Sequence, residues 1–161
     1  QEKSKIGSAN ILILGAGGSA LSIIPSIADC LPKNILLDNR SQEKIQPLIE
    51  RFNNLTTNNS MIDNIDHFED DIDIVINATS AGFSGAFNWY RDLNLSKKTF
   101  FYDLSYTKDN SKTPFINWAI QYSNNYSDGF GMLINQAALS YELWTGIMPG
   151  TTINKSDLIN D

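Results

Sequence analysis

Gly15-Ala16-Gly17-Gly18-Ser19-Ala20 carries the clearest chemical signal in the chain. It reads G-x-G-x-x-A, an accepted spelling of the loop that cradles a dinucleotide diphosphate. Each small residue has a task there. Gly15 permits the tight turn, Gly17 lets the backbone approach the diphosphate, and Ala20 lets the following helix pack closely on the preceding strand. Amides exposed at the helix N-terminus, together with the helix dipole, stabilise the negative charge. A glycine turn without a ligand can carry the same letters, so the flanking elements must decide.

Asp38-Asn39-Arg40-Ser41 offers an independent check, because a dinucleotide site places its ribose-reading group about 20 residues beyond the glycines. An acidic residue at that point reads the ribose hydroxyls of NAD, whereas an arginine reads the 2′-phosphate of NADP. Arg40 can stack its guanidinium on an adenine while donating to phosphate oxygens, and Lys44 adds a second cation in the next turn. Asp38 complicates this, since a carboxylate pointing inward would repel a 2′-phosphate. Side chains alternate along a strand, so Asp38 and Asn39 do not both face a ligand. The competing reading makes Arg40 and Lys44 ordinary solvated charges. The balance favours NADP and leaves NAD open through Asp38.

These residues need a sheet and helices to hold them. Asn10-Ile11-Leu12-Ile13-Leu14 is a continuous apolar run that suits a strand covered on both faces. Ser19 to Cys30 reads as a helix, in which Pro25 should cost a hydrogen bond or produce a kink. Ile35 to Asp38 is a second buried strand. Ser41 is the expected N-cap of a helix from Gln42 to Phe52, with Ile45, Leu48, Ile49 and Phe52 on one face. Asn53 to Asn64 reads as a loop around a weak strand. Ile72 to Asn77 and Thr99 to Asp103 are further strands. Thr113 to Tyr122 is a helix with Pro114 in its tolerant first turn, and Gly131 to Trp144 is the last long helix. Strands alternating with helices imply right-handed crossovers and a doubly wound, Rossmann-like α/β parallel sheet.

The composition of the 161-residue chain fits one globular domain, at 42% hydrophobic and 19% charged. A net charge of -6 argues against a non-specific nucleic-acid binder. No apolar run approaches the roughly 20 residues that cross a membrane, and no signal peptide opens the chain, so a cytoplasmic setting is expected. With one cysteine, Cys30, and one histidine, His67, neither a disulfide framework nor a Cys/His metal site is expected. Cys30 reads as partly buried and inert, and His67 as a surface residue. The acidic cluster Glu69-Asp70-Asp71-Asp73 reads as a solvated loop.

With these pieces placed, the chain strongly resembles the C-terminal, cofactor-binding half of shikimate dehydrogenases, from about Ile11 to Pro149. The glycine loop comes first. Asn39-Arg40-Ser41 with Lys44 is similar to the family's NADP-reading N-R-[ST] segment. Asn77-Ala78-Thr79-Ser80-Ala81-Gly82 is similar to its N-A-T-x-x-G turn. Asp103-Leu104-Ser105-Tyr106 and Thr113-Pro114-Phe115 follow. Asp128-Gly129-Phe130-Gly131-Met132-Leu133, leading to Gln136-Ala137-Ala138, is similar to the family's most specific segment, D-G-x-G-M-L-x-x-Q-A.

The resemblance implies roles for these residues. Gly15, Ala16, Gly17, Gly18, Ser19 and Ala20 would hold the diphosphate of NADP, with Asn39, Arg40, Ser41 and Lys44 at its ribose end. Asn77, Ala78, Thr79 and Ser80, with Asp103 and Leu104, would meet the cofactor at the strand mouths. Gly129 and Met132 would border the nicotinamide, and Tyr106 and Gln136 would reach the substrate. From the residues alone, Asn77 could equally cap a strand end, Tyr106 be a core aromatic, Gln136 be surface polarity, and Met132 be core filling.

The implied reaction is reversible NADPH-dependent reduction of 3-dehydroshikimate to shikimate. The family's acid/base lysine, its aspartate partner and the serines that bind substrate belong to an N-terminal domain. No catalytic residue is therefore expected in this chain, which alone should be inactive or nearly so. Lys5 carries no motif and reads as a linker residue. Residues 1–161 are expected to form one cofactor-binding domain, with 1–9 a connector from something upstream. Residues 131–149 would form the helix leading toward the substrate domain. Part of its apolar face, around Leu139, Leu143 and Trp144, should be uncovered and pack against that domain or a neighbouring molecule. Two other readings stay open: a quinate- or aminoshikimate-type relative, with NAD preference pointing to the quinate type, and a nucleotide-binding module without catalysis.

Overall fold

The computed structural model describes residues 6–55, 62–81, 85–109 and 111–155; Lys5 and Gly82 lie outside them. Its strands are β1 (Asn10–Leu14), β2 (Asn34–Asp38), β3 (Ile62–Asn64), β4 (Ile74–Asn77), β5 (Phe100–Asp103) and β6 (Tyr126–Ser127). Its helices are α1 (Gly18–Ala28), α2 (Ile45–Leu55), α3 (Pro114–Ala119) and α4 (Phe130–Thr145). The strands form one six-stranded sheet in the order β3-β2-β1-β4-β5-β6. Every pairing is parallel. This is the Rossmann-like doubly wound order, which reverses direction between β1 and β4.

Alternation along the strands divides the core. Ile11, Ile13, Ile35, Leu37 and Ile76 pack with Ala20, Ile24 and Ala28 of α1 and with Ile45, Leu48, Ile49 and Phe52 of α2. Leu12, Leu14, Leu36, Val75 and Phe101 pack on the other side with Phe115, Ile116, Trp118 and Ala119 of α3. Both faces are covered, as parallel strands require, which is why β1 is buried along its whole length. On the second face Phe87 meets Phe115 edge to face at 5.1 Å between ring centres. Burying such a ring contributes roughly 1.5–3 kcal/mol.

No helix is described between β4 and β5, and none was expected; the segment there covers the sheet, with Phe87 buried and Trp89, Leu93 and Leu95 half-buried. Several boundaries do differ from expectation. A 3-10 turn, Gln42–Lys44, precedes α2, and Ser41 makes no side-chain cap bond. Ser41 serves through its carbonyl instead, which accepts from the Lys44 amide at 3.1 Å. Helix α2 runs on to Leu55, into the start of the expected Asn53–Asn64 loop, and the weak strand expected within that loop is β3, at its end. Pro25 does lie inside α1, on an exposed position where water can replace its missing donor. The end of the expected connector is core: Ala9 is buried and its carbonyl accepts from the Lys33 amide at 3.0 Å.

The acidic cluster is partly structural. An Asp73 oxygen accepts from the Asn10 amide at 2.8 Å, the Asp71 carbonyl accepts from Asn10 Nδ2 at 2.9 Å, and Asp70 pairs with Lys33. These bonds fasten the start of β1. His67 is exposed, and Cys30 is half-buried with its thiol donating to the Ser26 carbonyl. No helix among the described residues is long and apolar enough to cross a membrane.

Candidate functional site

Strand register puts the site on one line. Leu14 is paired with Asp38 on one side and Asn77 on the other, and Asn77 is paired with Asp103. Leu14, Asp38, Asn77 and Asp103 therefore form a row across the carboxyl edge of the sheet, and the loops that follow open together. Ligands of open α/β sheets bind at that edge, at the point where the strand order reverses.

Gly15 sits at the reversal. Its φ is +111°, and a Cβ there would lie 3.0 Å from both the Ala78 carbonyl oxygen and Thr79 Cγ2. Its amide donates to the Asp38 carbonyl at 2.7 Å, while the Ala78 amide donates to Leu14 at 2.8 Å. Glycine is thus required to bring the glycine loop against the Asn77–Ser80 turn. Beyond it the loop is open. Ala16 is half-buried, Gly17, Gly18 and Ser19 are exposed, and Ala20 is buried under α1. A Cβ at Gly17 or Gly18 would meet nothing within 4 Å, and no side chain caps α1 at Gly17. Free amides at an open helix N-terminus form an anion cradle.

At the end of β2 the carboxylate of Asp38 is fully buried and turned to the second face, as is Leu36 two residues earlier. It accepts from Trp89 Nε1 at 2.7 Å and from the Tyr90 hydroxyl, and Arg91 Nε lies 3.5 Å away. Burial, followed by the hydrogen bond to Asp38, pushes the Tyr90 hydroxyl up to about 12. Burial lowers the Arg91 pKa, but a hydrogen bond to Asp66 and the nearby Asp38 charge outweigh it, for a net rise. Asp38 is thus closed off from the ribose position that sequence left open to it. Asn39 Nδ2 donates to the Ser41 carbonyl at 2.8 Å, closing its own turn. Arg40 and Lys44 are exposed, and neither side chain has a partner among the described residues.

The Asn77 turn is held from beneath by two buried side chains. Asn77 is 1% exposed; its Nδ2 donates to Asp103 at 2.9 Å, and its Oδ1 accepts from Thr79 Oγ1 at 2.7 Å and the Thr79 amide at 3.1 Å. Asp103 is also 1% exposed, accepting from Thr113 Oγ1 at 2.5 Å and the Ser105 amide at 3.0 Å. Both residues were expected to meet the cofactor; their side chains lie beneath the mouth, sharing a row and a face with Asp38. They shape the turns that present half-buried Thr79 and exposed Ser80; Ala78 is buried. Burial pushes the Asp103 carboxyl up against the opposing pull of its hydrogen bonds to Thr113, Ser105 and Asn77.

The third wall is built on Gly129. A Cβ there would lie 2.1 Å from the Leu104 carbonyl oxygen, and the Gly129 amide donates to Ser105 at 3.0 Å. Glycine alone lets the start of α4 close on the exit of β5. Tyr106 is 41% exposed, edge-on to Phe130 at 6.3 Å between ring centres, so it is not a core aromatic. Met132 and Gln136 project from exposed positions on α4. Among the described residues no group of Cys, His, Asp and Glu gathers to hold a metal.

A sequence model described as shikimate / quinate 5-dehydrogenase matches residues 1–109 of the chain. The chain belongs to that dehydrogenase family. A second model, of the shikimate 5'-dehydrogenase C-terminal domain, matches residues 129–152 of this family member. It is 35% identical over 147 residues to a Colwellia psychrerythraea protein named shikimate dehydrogenase (NADP(+)), covering 89% of this chain and 51% of that one. A relative of the same name from Ruthia magnifica is 38% identical over 143 residues, covering 88% and 51%. The chain spans about half the length of these relatives.

Solved structures carry the same fold. A 5-ketofructose reductase from Gluconobacter aligns with a TM-score of 0.75 at 25% identity, over 99% of this chain and 60% of that one. A Listeria monocytogenes shikimate 5-dehydrogenase in complex with shikimate and NAD aligns with a TM-score of 0.76 at 23% identity, over 96% and 57%. In this family member, sequence reasoning missed Trp89, Tyr90, Arg91, Gln42 and Thr113 as parts of the site. A usable signal was the polar-aromatic run Asn88-Trp89-Tyr90-Arg91, whose indole and phenol must find acceptors if buried.

Proposed function

We propose that this chain is the cofactor-binding half of an NADP-dependent shikimate dehydrogenase, acting in the reversible reduction of 3-dehydroshikimate to shikimate. The carrying observation is at the end of β2, where Arg40 and Lys44 are exposed, with no side-chain partner among the described residues, while the neighbouring acid, Asp38, is buried. That arrangement leaves net positive charge where a 2′-phosphate would sit, beside an open glycine cradle that suits a diphosphate. Gly17, Gly18 and Ser19 would hold the diphosphate through their amides, and Arg40 with Lys44 the 2′-phosphate. When bound, the nicotinamide cofactor supplies a hydride.

The chain's own residues bind and orient. Gly129 leaves room beside the β5 exit, Met132 offers an apolar side chain on the next turn, and Thr79 and Ser80 present hydroxyls from the β4 turn. Tyr106 and Gln136 would meet the substrate. Proton transfer would come from a lysine and aspartate on an N-terminal domain, which the shorter length relative to the matched enzymes supports. Leu139, Leu143 and Trp144 are 54%, 85% and 82% exposed, an apolar face of α4 suited to docking that domain.

The test is parallel titration of the full-length enzyme with NADP+ and NAD+, by tryptophan fluorescence and calorimetry. Tighter NADP+ binding is expected, weakened on the order of 10- to 100-fold by Arg40→Ala with NAD+ affinity little changed. Preference for NAD+, or equal loss of both cofactors, would overturn the reading. Shikimate turnover by residues 1–161 alone should be absent and should appear in the full-length enzyme.

A further inference from the structure

The end of β2 carries an acid where an NAD-reading acid is expected, yet that acid is tied into a relay of hydrogen bonds that ends on the Arg40 turn. Tyr90 Oη lies within bonding reach of Asp38, of the Gln42 side-chain amide at 2.6 Å and of the Asn39 carbonyl at 3.3 Å. A phenol has one hydrogen, and the carboxylate is the strongest acceptor in reach, so Tyr90 donates to Asp38. Its oxygen then accepts from Gln42 Nε2, whose other hydrogen goes to the Asn39 carbonyl at 2.9 Å. The relay thus runs from Asp38 through Tyr90 and Gln42, whose Nε2 also lies 3.3 Å from the carboxylate itself, to the carbonyl of the residue just before Arg40. Gln42 Oε1 also accepts from Asn64 Nδ2 at 3.3 Å, and Arg91 donates to Asp66 at 2.7 Å. The relay is therefore braced against β3 and the turn after it.

We propose that Asp38 is a specificity-positioning residue: through Tyr90 and Gln42 it fixes the Asn39–Ser41 turn so that Arg40 is held out for a 2′-phosphate. This rests on the NADP reading above and adds how that preference is built. The acid contributes to NADP selection by being buried, and Tyr90, from the β4–β5 crossover, is the latch. Trp89 and Arg91 satisfy the rest of the carboxylate, which lets the charge stay buried without a ligand. An arginine with free rotamers loses entropy on binding, and a fixed turn reduces that loss.

The experiment uses the full-length enzyme with Tyr90→Phe, Arg40→Ala and the double variant. Tyr90→Phe removes the hydroxyl alone, and the ring is 45% exposed, so the fold survives. Expected is a rise of about 3- to 10-fold in Kd for NADP+, with Kd for NAD+ within about twofold. KM for NADPH should rise while kcat stays within about twofold, the pattern of lost uniform binding. In the double variant the Tyr90 effect should vanish, because the latch acts through Arg40. Gln42→Ala should reproduce the selective loss. Independent, additive effects of Tyr90→Phe and Arg40→Ala would overturn the proposal, as would equal weakening of both cofactors by Tyr90→Phe. Failure of the NADP reading shows separately, as a wild-type enzyme that does not prefer NADP+ or an Arg40→Ala variant without selective loss.

Discussion

Two buried carboxylates close the same edge of the sheet and are satisfied in opposite ways. Asp38 at the end of β2 is held by an indole, a phenol and a guanidinium from the β4–β5 crossover. Asp103 at the end of β5 is held by neutral donors: Asn77, Thr113 and the Ser105 amide. The first arrangement has a cation nearby, and the neighbouring loop carries exposed positive charge without a side-chain partner among the described residues. The second has no cation in contact among the described residues, and burial pushes its carboxyl up. The β2 end is built to present charge to a ligand. The β5 end is built to hold backbones tightly together with no net charge offered to the mouth.

The largest break in that comparison is Gly129→Ala. At the β5 end a new methyl would meet backbone 2.1 Å away, which no rotamer change relieves. Overpacking against backbone should lower unfolding free energy by about 3 kcal/mol, read from denaturant melts. Gly17→Ala at the open cradle meets nothing within 4 Å and should change stability by less than about 1 kcal/mol. Comparable losses at both glycines would mean that the β5 end is no tighter than the rest of the edge.

A smaller, sharper contrast removes one donor from each carboxylate. Thr113→Val takes away the hydroxyl that donates to Asp103 and also accepts from the Ile116 amide at 3.2 Å, capping α3. A lost buried bond plus a lost cap should cost about 2 kcal/mol. Trp89→Phe removes the indole donor from Asp38 while Arg91 remains within 3.5 Å, and should cost about 1 kcal/mol. Equal melts for the two variants would remove the distinction between a cation-backed and a neutral site.

Much of this was legible in the residues. The glycine loop, the strands and the buried face of α2 follow from apolar periodicity, and β1 and α1 flank the loop as the motif requires. That Asp38 and Asn39 point opposite ways follows from alternation, but which of the two turns inward does not. The same alternation applies to Asn77 and Asp103, which end their strands in register with Asp38, but the register itself is tertiary and invisible in one sequence. The polar groups at strand ends were read as facing the ligand. They face inward because turns leave amides at Thr79 and Ser105 that need local acceptors. The Asp38 relay was beyond reach, since Tyr90 lies 52 residues from its acceptor. Strand β6, two residues long, is too short to show any period.

The smallest effect is the most specific to the neutral site. Because burial raises the Asp103 carboxyl, ionisation is harder in the folded protein than in the unfolded chain. A group of that kind contributes its full stability below its ordinary range, near pH 4, and loses it as pH rises through the raised folded value. Asp103→Asn cannot ionise, yet keeps an oxygen to accept from Asn77 and Ser105, with its amide toward the Thr113 hydroxyl. Measured against wild type, this variant should therefore gain relative stability as pH rises from about 4 to 7. The change should be smaller than the loss at Thr113→Val. Denaturant midpoints of Asp103→Asn and wild type at the two pH values decide the matter. A stability difference that stays constant between them would show that burial does not hold this carboxyl above its ordinary range.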